Sequence, residues 1–183
     1  MFATVDSKPF AGERVVVHTD REFDDVLKTL RQLMGRATLA EINALAEEPI
    51  SEGEFSSRVQ ERYVGTSGFM LFAEIDHGRW LPKFGINQRM VRWILGNPLY
   101  AITMIRHDIT AGLFAPVELL VTEDSHQRGT TVTYVRPSSL MVIETNVPLL
   151  HASRALDAKL AALVTDATDV AHLITLDAQG ATQ

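Results

Sequence analysis

Between His77 and His107 the chain has no Asp or Glu, yet it holds Arg79, Lys83, Arg89, Arg92 and Arg106. Such a stretch can hold an anion if its cations meet a backbone feature that also favours negative charge. Gly96-Asn97-Pro98 is a feature of that kind. Asn suits the position before a helix and Pro suits its first turn. A helix starting there presents unpaired N–H groups and the positive end of its dipole. Arg92 precedes this turn by a few residues, and Arg79 and Lys83 belong to the loop before that. These three, with Asn97, are the residues expected to hold a phosphate or carboxylate. The competing reading pairs the same cations with acids elsewhere, or leaves them facing solvent. The turn lacks the repeated glycines and the Lys-Ser or Lys-Thr end of a phosphate loop.

Glu74, Asp76 and His77 form a second constellation. Residues two apart in a strand share a face, so the two carboxylates can point together. With a neighbouring His they offer acid–base chemistry or ligands for a divalent cation. His77 turns to the opposite face unless the strand stops there. The competing reading is a strand end passing into a polar loop. His107-Asp108 reads as a helix end with a well-placed His. The other histidines, His18, His126, His151 and His172, are scattered, with no His-x-His or His-Glu-x-x-His spacing. No resident metal or cofactor is therefore expected. Neither Gly-x-Ser-x-Gly nor Gly-x-Gly-x-x-Gly occurs.

Composition narrows the classes further. The 183 residues include no Cys, which removes thiol catalysis, Cys-based zinc and iron–sulfur sites, and disulfides. The net charge of −6 argues against nucleic-acid and anionic-membrane partners. It is an average over a basic middle and a more acidic remainder. The start lacks a basic then apolar leader, and no apolar run approaches the roughly 20 residues of a spanning helix. A cytoplasmic location is the expectation.

The elements that must position these residues follow from periodicity. Arg14 to Thr19 is β-branched and reads as a strand. Thr19 and Glu22 have capping-box spacing, and Phe23, Val26, Leu27, Leu30 and Leu33 recur at helical intervals, predicting a helix over 20–34. Thr38 with Glu41, and Ser51 with Glu54, start two short helices. Strands are predicted at 69–75 and 89–95, with a loop at 78–88, and an apolar helix at 98–107. Strands at 117–122 and 130–135 flank a polar turn at 123–129 and predict an antiparallel hairpin. Pro148 opens a last helix whose stripe is Leu149, Ala152, Leu156, Leu160 and Leu163.

The whole reads as α+β in two layers, a single sheet of about five strands with helices packed mainly on one face. One domain is expected over 1–183, with its core at about 13–35 and 67–165. A helical insertion occupies about 36–66, and the ends 1–12 and 166–183 are frayed. The helix at 98–107 is apolar all round, so either the inserted helices cover it or a second copy does, making a homodimer.

Glu74-Ile75-Asp76-His77, Gly96-Asn97-Pro98, the Pro116-led strand ending in Glu123-Asp124, and Tyr134 with Pro137 occur in an order that resembles the family called domain of unknown function 302. Arg14 to Met34 resembles the opening of that family as well, so the likeness covers about two thirds of the chain. The resemblance implies a compact two-layer α+β domain without an assigned activity, and brings no catalytic residues with it. The chain departs from the family at the insertion, and at Glu118, where a basic residue is expected after Pro116. If the family has a ligand site using that base, Glu118 counts against it here. The leading expectation is a non-enzymatic module binding a small anion at the Gly96-Asn97-Pro98 turn, or a protein partner. The alternatives are a metal-assisted or acid–base enzyme at Glu74, Asp76 and His77, and a purely structural homodimer.

Overall fold

The computed structural model describes residues 3–124 and 129–170. Alternation in the sheet and stripes in two helices generate the main core. Strands β4 (Met90–Gly96), β5 (Val117–Glu123) and β6 (Thr130–Val135) alternate buried and less buried side chains, and β1 (Arg14–Thr19) buries Val17 with Val15 and Thr19 partly buried on the same face. Helix α1 (Phe23–Leu33) buries Phe23, Val26, Leu27 and Leu30, which fall on one side at helical spacing. The last helix, Val147–Thr168, buries Leu149, Leu156, Leu160, Leu163 and Val164. Both stripes share one cluster with Val17, Trp93, Leu95, Leu119, Val121 and Val132 of the sheet. The opposite sheet face carries Val16, His18, Arg92 and Glu118, none of them buried.

The sheet has six strands rather than about five. Its order is β1-β6-β5-β4-β3-β2, with β3 at Met70–Asp76 and β2 at Gly35–Arg36. The extra strand is β2, which pairs in parallel through Gly35 with Met70 and Arg36 with Leu71. Two residues carry no readable period, so the pairing exists only in three dimensions. All other neighbours are antiparallel, including the expected β5–β6 hairpin. Part of its turn, 125–128, lies outside the described residues.

Helices α2 (Leu39–Glu47) and α3 (Glu52–Tyr63) occupy the stretch read as inserted. The Thr38–Glu41 capping box forms in full, and the Ser51 hydroxyl accepts from the N–H of Glu54. Their Leu45 and Val59 build a second cluster with Met70, with Phe72 and Leu99 packed against it. The ends of the segment meet at two glycines. A Cβ on Gly35 would lie 1.8 Å from the Tyr63 carbonyl oxygen, and one on Gly65 would lie 2.3 Å from the Gly35 nitrogen. A segment that leaves and rejoins at one point displaces little of the surrounding sheet.

Helix α4 is Pro98–Ile105, two residues shorter than the predicted 98–107, and α5 (Pro137–Met141) and the tight turns at Ile109–Phe114 carry too short a pattern to be predicted. Two predicted boundaries shift. Helix α1 begins at Phe23 without a side-chain cap, because the Thr19 hydroxyl donates instead to the Thr168 carbonyl at 2.7 Å. Helix α6 (Val147–Thr168) passes residue 166, since Val164, Ala167 and Thr168 are buried. Residues 171–183 lie outside the described residues. No helix among the described residues is long and apolar enough to cross a membrane.

Candidate functional site

The four residues expected to hold an anion do not come together. Asn97 follows the Gly96 end of β4, whereas Arg79 and Lys83 sit in tight turns at the Met90 end. Asp76, just before those turns, pairs with Val91, and a Cβ on Gly78 would lie 3.2 Å from the Met90 nitrogen. At about 3.3 Å per residue, the length of β4 puts roughly 20 Å between the two groups. Arg92 lies between them on the uncovered face. Its Nε donates to Glu118 at 2.9 Å, and its second nitrogen also bonds that carboxylate. The register explains the pair. Arg92 is opposite Leu120 and Ile94 is opposite Glu118, so the two charges are diagonal neighbours on one face. Hydrogen bonding to Glu118 holds the guanidinium even further above its ordinary pKa.

Two of the remaining four cations are neutralised as well. Arg79 donates to Asp76 at 3.1 Å, and Arg89 bonds Asp24 and, at 3.4 Å, Glu123. Among the described residues, Lys83 and Arg106 have no carboxylate partner. The competing reading of the basic stretch therefore describes its arginines.

Glu74 and Asp76 do share a face, opposite Trp93 and Val91. They line a cleft of about 420 Å³ together with Asp24, Arg31, Arg79 and Arg89. Three arginines and three carboxylates line this cleft in pairs. Arg31 grips Glu74 with two hydrogen bonds of 3.2 and 2.5 Å while lying 5.5 Å from the centre of the Trp93 ring. His77 opens a tight turn, packs edge-on against Trp80 at 5.5 Å, and keeps its Nδ1 buried without a hydrogen bond. The cleft holds no free carboxylate next to a free base. Among the described residues no group of three or more His, Cys, Asp or Glu is placed to hold a metal ion.

At the other end of β4 an apolar cavity of about 180 Å³ opens directly beside the Gly96-Asn97-Pro98 turn. Asn97 is buried and both ends of its side chain are used internally. Its oxygen accepts from the Leu99 N–H at 2.8 Å, and its nitrogen donates to the Gly68 carbonyl at 2.9 Å. The turn thus caps its helix as expected but offers no free polar side chain. Phe72 lines the cavity from β3 and Phe69 from the residue before it, Tyr100 and Met104 from α4, and Leu156 from α6. Leu39 and Ile42 of α2 and Pro116 complete it, so the inserted segment supplies part of the wall. Phe69 and Tyr100 pack edge to face at 5.8 Å. A Cβ on Gly96 would lie 3.2 Å from both Phe72 and Pro116, so the bare backbone lets those two walls approach.

Sequence reasoning found the turn and missed the cavity. Its walls come from segments distant in the chain, and each wall residue by itself reads as core. The one local signal was the apolar excess of α4. It resolves into Met104 facing the main core, Leu99 packed on the inserted helices, and Tyr100 at the cavity.

A family model described as domain of unknown function DUF302 matches residues 46–167. The matched span includes 46–66, which the sequence reading set aside as inserted, and leaves out β1 and α1. Among solved structures, the crystal structure of an uncharacterized conserved protein DUF302 from Bacillus stearothermophilus is similar, with a TM-score of 0.58 and 17% identity. That likeness covers 84% of this chain and 97% of the other, and at this identity it speaks to the fold alone. No curated protein matches the chain.

Proposed function

The chain belongs to the family described as domain of unknown function DUF302, a description that brings no substrate or reaction with it, and from the geometry of its own cavity we propose that it is a small-ligand-binding module. The ligand is compact and largely apolar, and it enters the cavity beside the Gly96-Asn97-Pro98 turn. One observation carries this reading: a cavity of about 180 Å³ walled by Phe69, Phe72, Tyr100, Met104 and Leu156. An apolar cavity of about 150 Å³ suffices for benzene. Concave, mainly apolar sites of this kind are where small molecules bind. The expectation of an anion at this turn changes in character, since the neighbouring wall is apolar.

Melting temperature in the presence of toluene, indole or phenol tests the proposal, because a ligand that binds only the folded state raises it with concentration. A saturable rise is expected for the wild type. Ala101→Phe, which fills the cavity from α4, should abolish the rise while leaving the circular dichroism spectrum unchanged. No shift with any of the three compounds overturns the reading.

A second reading has its own observation. On the outer side of α4, Ile102 is 44% exposed, and the adjoining turns add Ile109 at 77% and Leu113 at 80%. An exposed apolar patch of this kind suits self-association through the helix read at 98–107. Sedimentation velocity at micromolar concentration tests it, and a clean monomer excludes it there.

A further inference from the structure

We infer that the ligand of this cavity is a small apolar carboxylate, aromatic or short aliphatic, with its charge held by Lys159. The inference rests on the cavity being a ligand site, as proposed above.

Lys159 is exposed on α6, and its Nζ lies 4.7 Å from the centre of the Tyr100 ring. Tyr100 is a wall of the cavity, and so is Leu156. Leu156 precedes Lys159 by three residues on the same helix, the spacing at which side chains neighbour each other on one face. The ammonium therefore lies over one wall residue while its stem starts one helical turn from another; Lys159 is not itself a lining residue, and we set its head at the rim. Among the described residues it has no carboxylate partner. Its attraction to the ring is electrostatic and leaves its N–H donors free for an anion.

The remaining lining explains why the charge is a single carboxylate. Apart from Asn97 and Tyr100 the cavity is walled by apolar residues and glycine, and no acid lines it to repel an anion. The Asn97 side chain is engaged at both ends, by the Leu99 N–H and the Gly68 carbonyl. One flexible cation at the mouth of an apolar slot matches one negative charge at the end of an apolar body. A phosphate dianion would bring a second charge that no residue of the lining answers. The basic stretch from His77 to His107 contributes nothing here. The cation comes from α6, far away in sequence.

Calorimetric titration of the full chain with benzoate, benzamide and toluene tests the assignment, since the first two are nearly the same size and differ in charge. The wild type should bind benzoate about tenfold more tightly than benzamide at low salt, with the preference shrinking as salt is added. Lys159→Gln should bring benzoate and benzamide to equal affinity and leave toluene unchanged, while Lys159→Arg should keep the preference. Equal binding of benzoate and benzamide by the wild type overturns the inference and leaves the apolar site standing, as does a preference that survives Lys159→Gln. If none of the three compounds binds, the apolar site fails and the inference falls with it.

Discussion

The side-chain nitrogen of Asn97 donates to the backbone carbonyl of Gly68 at 2.9 Å, joining the start of α4 to the turn that leads into β3. The same carboxamide caps α4 through the Leu99 N–H. One buried side chain therefore satisfies two backbone groups from separate segments, and the cavity opens beside it. Helix start, strand entrance and one part of the cavity wall depend on a single residue.

Asn97→Ala removes both bonds and leaves two partly buried backbone groups without their partners. A cap and a buried hydrogen bond are each worth about 1 kcal/mol, so a loss of roughly 2 kcal/mol is expected in urea denaturation. Asn97→Asp keeps the acceptor for Leu99 but sets a carboxylate against the Gly68 carbonyl. It should be no more stable than the alanine variant at neutral pH. An aspartate variant as stable as wild type would contradict the assigned roles.

Gly68 has φ at 84°, in the left-handed region, and a Cβ there would lie 2.1 Å from the Tyr100 hydroxyl oxygen. Gly68→Ala should cost about 1–3 kcal/mol through strain and overpacking. Tyr100→Phe removes the oxygen in conflict, after which the nearest ring atom is at 3.1 Å. In the double variant part of the cost should return, while the part due to the backbone angle remains. A double-mutant cycle reads the coupling directly. Strict additivity would mean that the two residues do not meet.

Arg92 and Glu118 grip each other on the uncovered sheet face, with side chains 40% and 50% exposed. Exposed pairs contribute about 0.2–1 kcal/mol, so Glu118→Gln should change stability only within that range. Its larger effect is electrostatic, because it unmasks a cation among neutral strand residues. A chloride- or phosphate-dependent rise in melting temperature should appear in Glu118→Gln and be absent from Glu118→Gln combined with Arg92→Gln. The same rise in both variants would place the anion elsewhere.

Two capping carboxylates contribute to the acid limb of stability. The Thr38 backbone N–H, helped by its hydroxyl, holds Glu41 below its ordinary value of 4.5. The Thr110 hydroxyl and N–H hold Asp108 below 3.8. Folded values below the unfolded ones mean that this stabilisation is full above the ordinary carboxyl values. It is lost as pH falls through the lower, folded values. Melting temperature should therefore drop below about pH 4.5, and Glu41→Gln should flatten that drop relative to wild type. A wild-type slope in Glu41→Gln would remove Glu41 from the account.

Much of the fold was legible because it rests on short-range causes. The α1 stripe, the Thr38 and Ser51 caps, the Asn97-Pro98 helix start and the β5–β6 hairpin each arise within a few residues. Thr19 shows the limit. Its spacing to Glu22 fits a capping box, yet its hydroxyl serves the end of α6, because a distant carbonyl lies within reach.

The amino-acid sequence by itself determined the two-layer character, the helix starts and the absence of thiol chemistry, since periodicity, capping and composition act along the chain. Only the tertiary structure decided what the charges and apolar walls do. Arg92 meets Glu118 through strand register, Arg31 meets Glu74 where α1 crosses β3, and Lys159 meets Tyr100 where α6 passes α4. A charge or an aromatic ring acts on whatever lies within a few ångströms, and those neighbours are chosen by packing between segments remote in the chain. Three of the five cations of the basic run therefore sit in separate ion pairs. The turn predicted as its focus stands instead beside an apolar cavity.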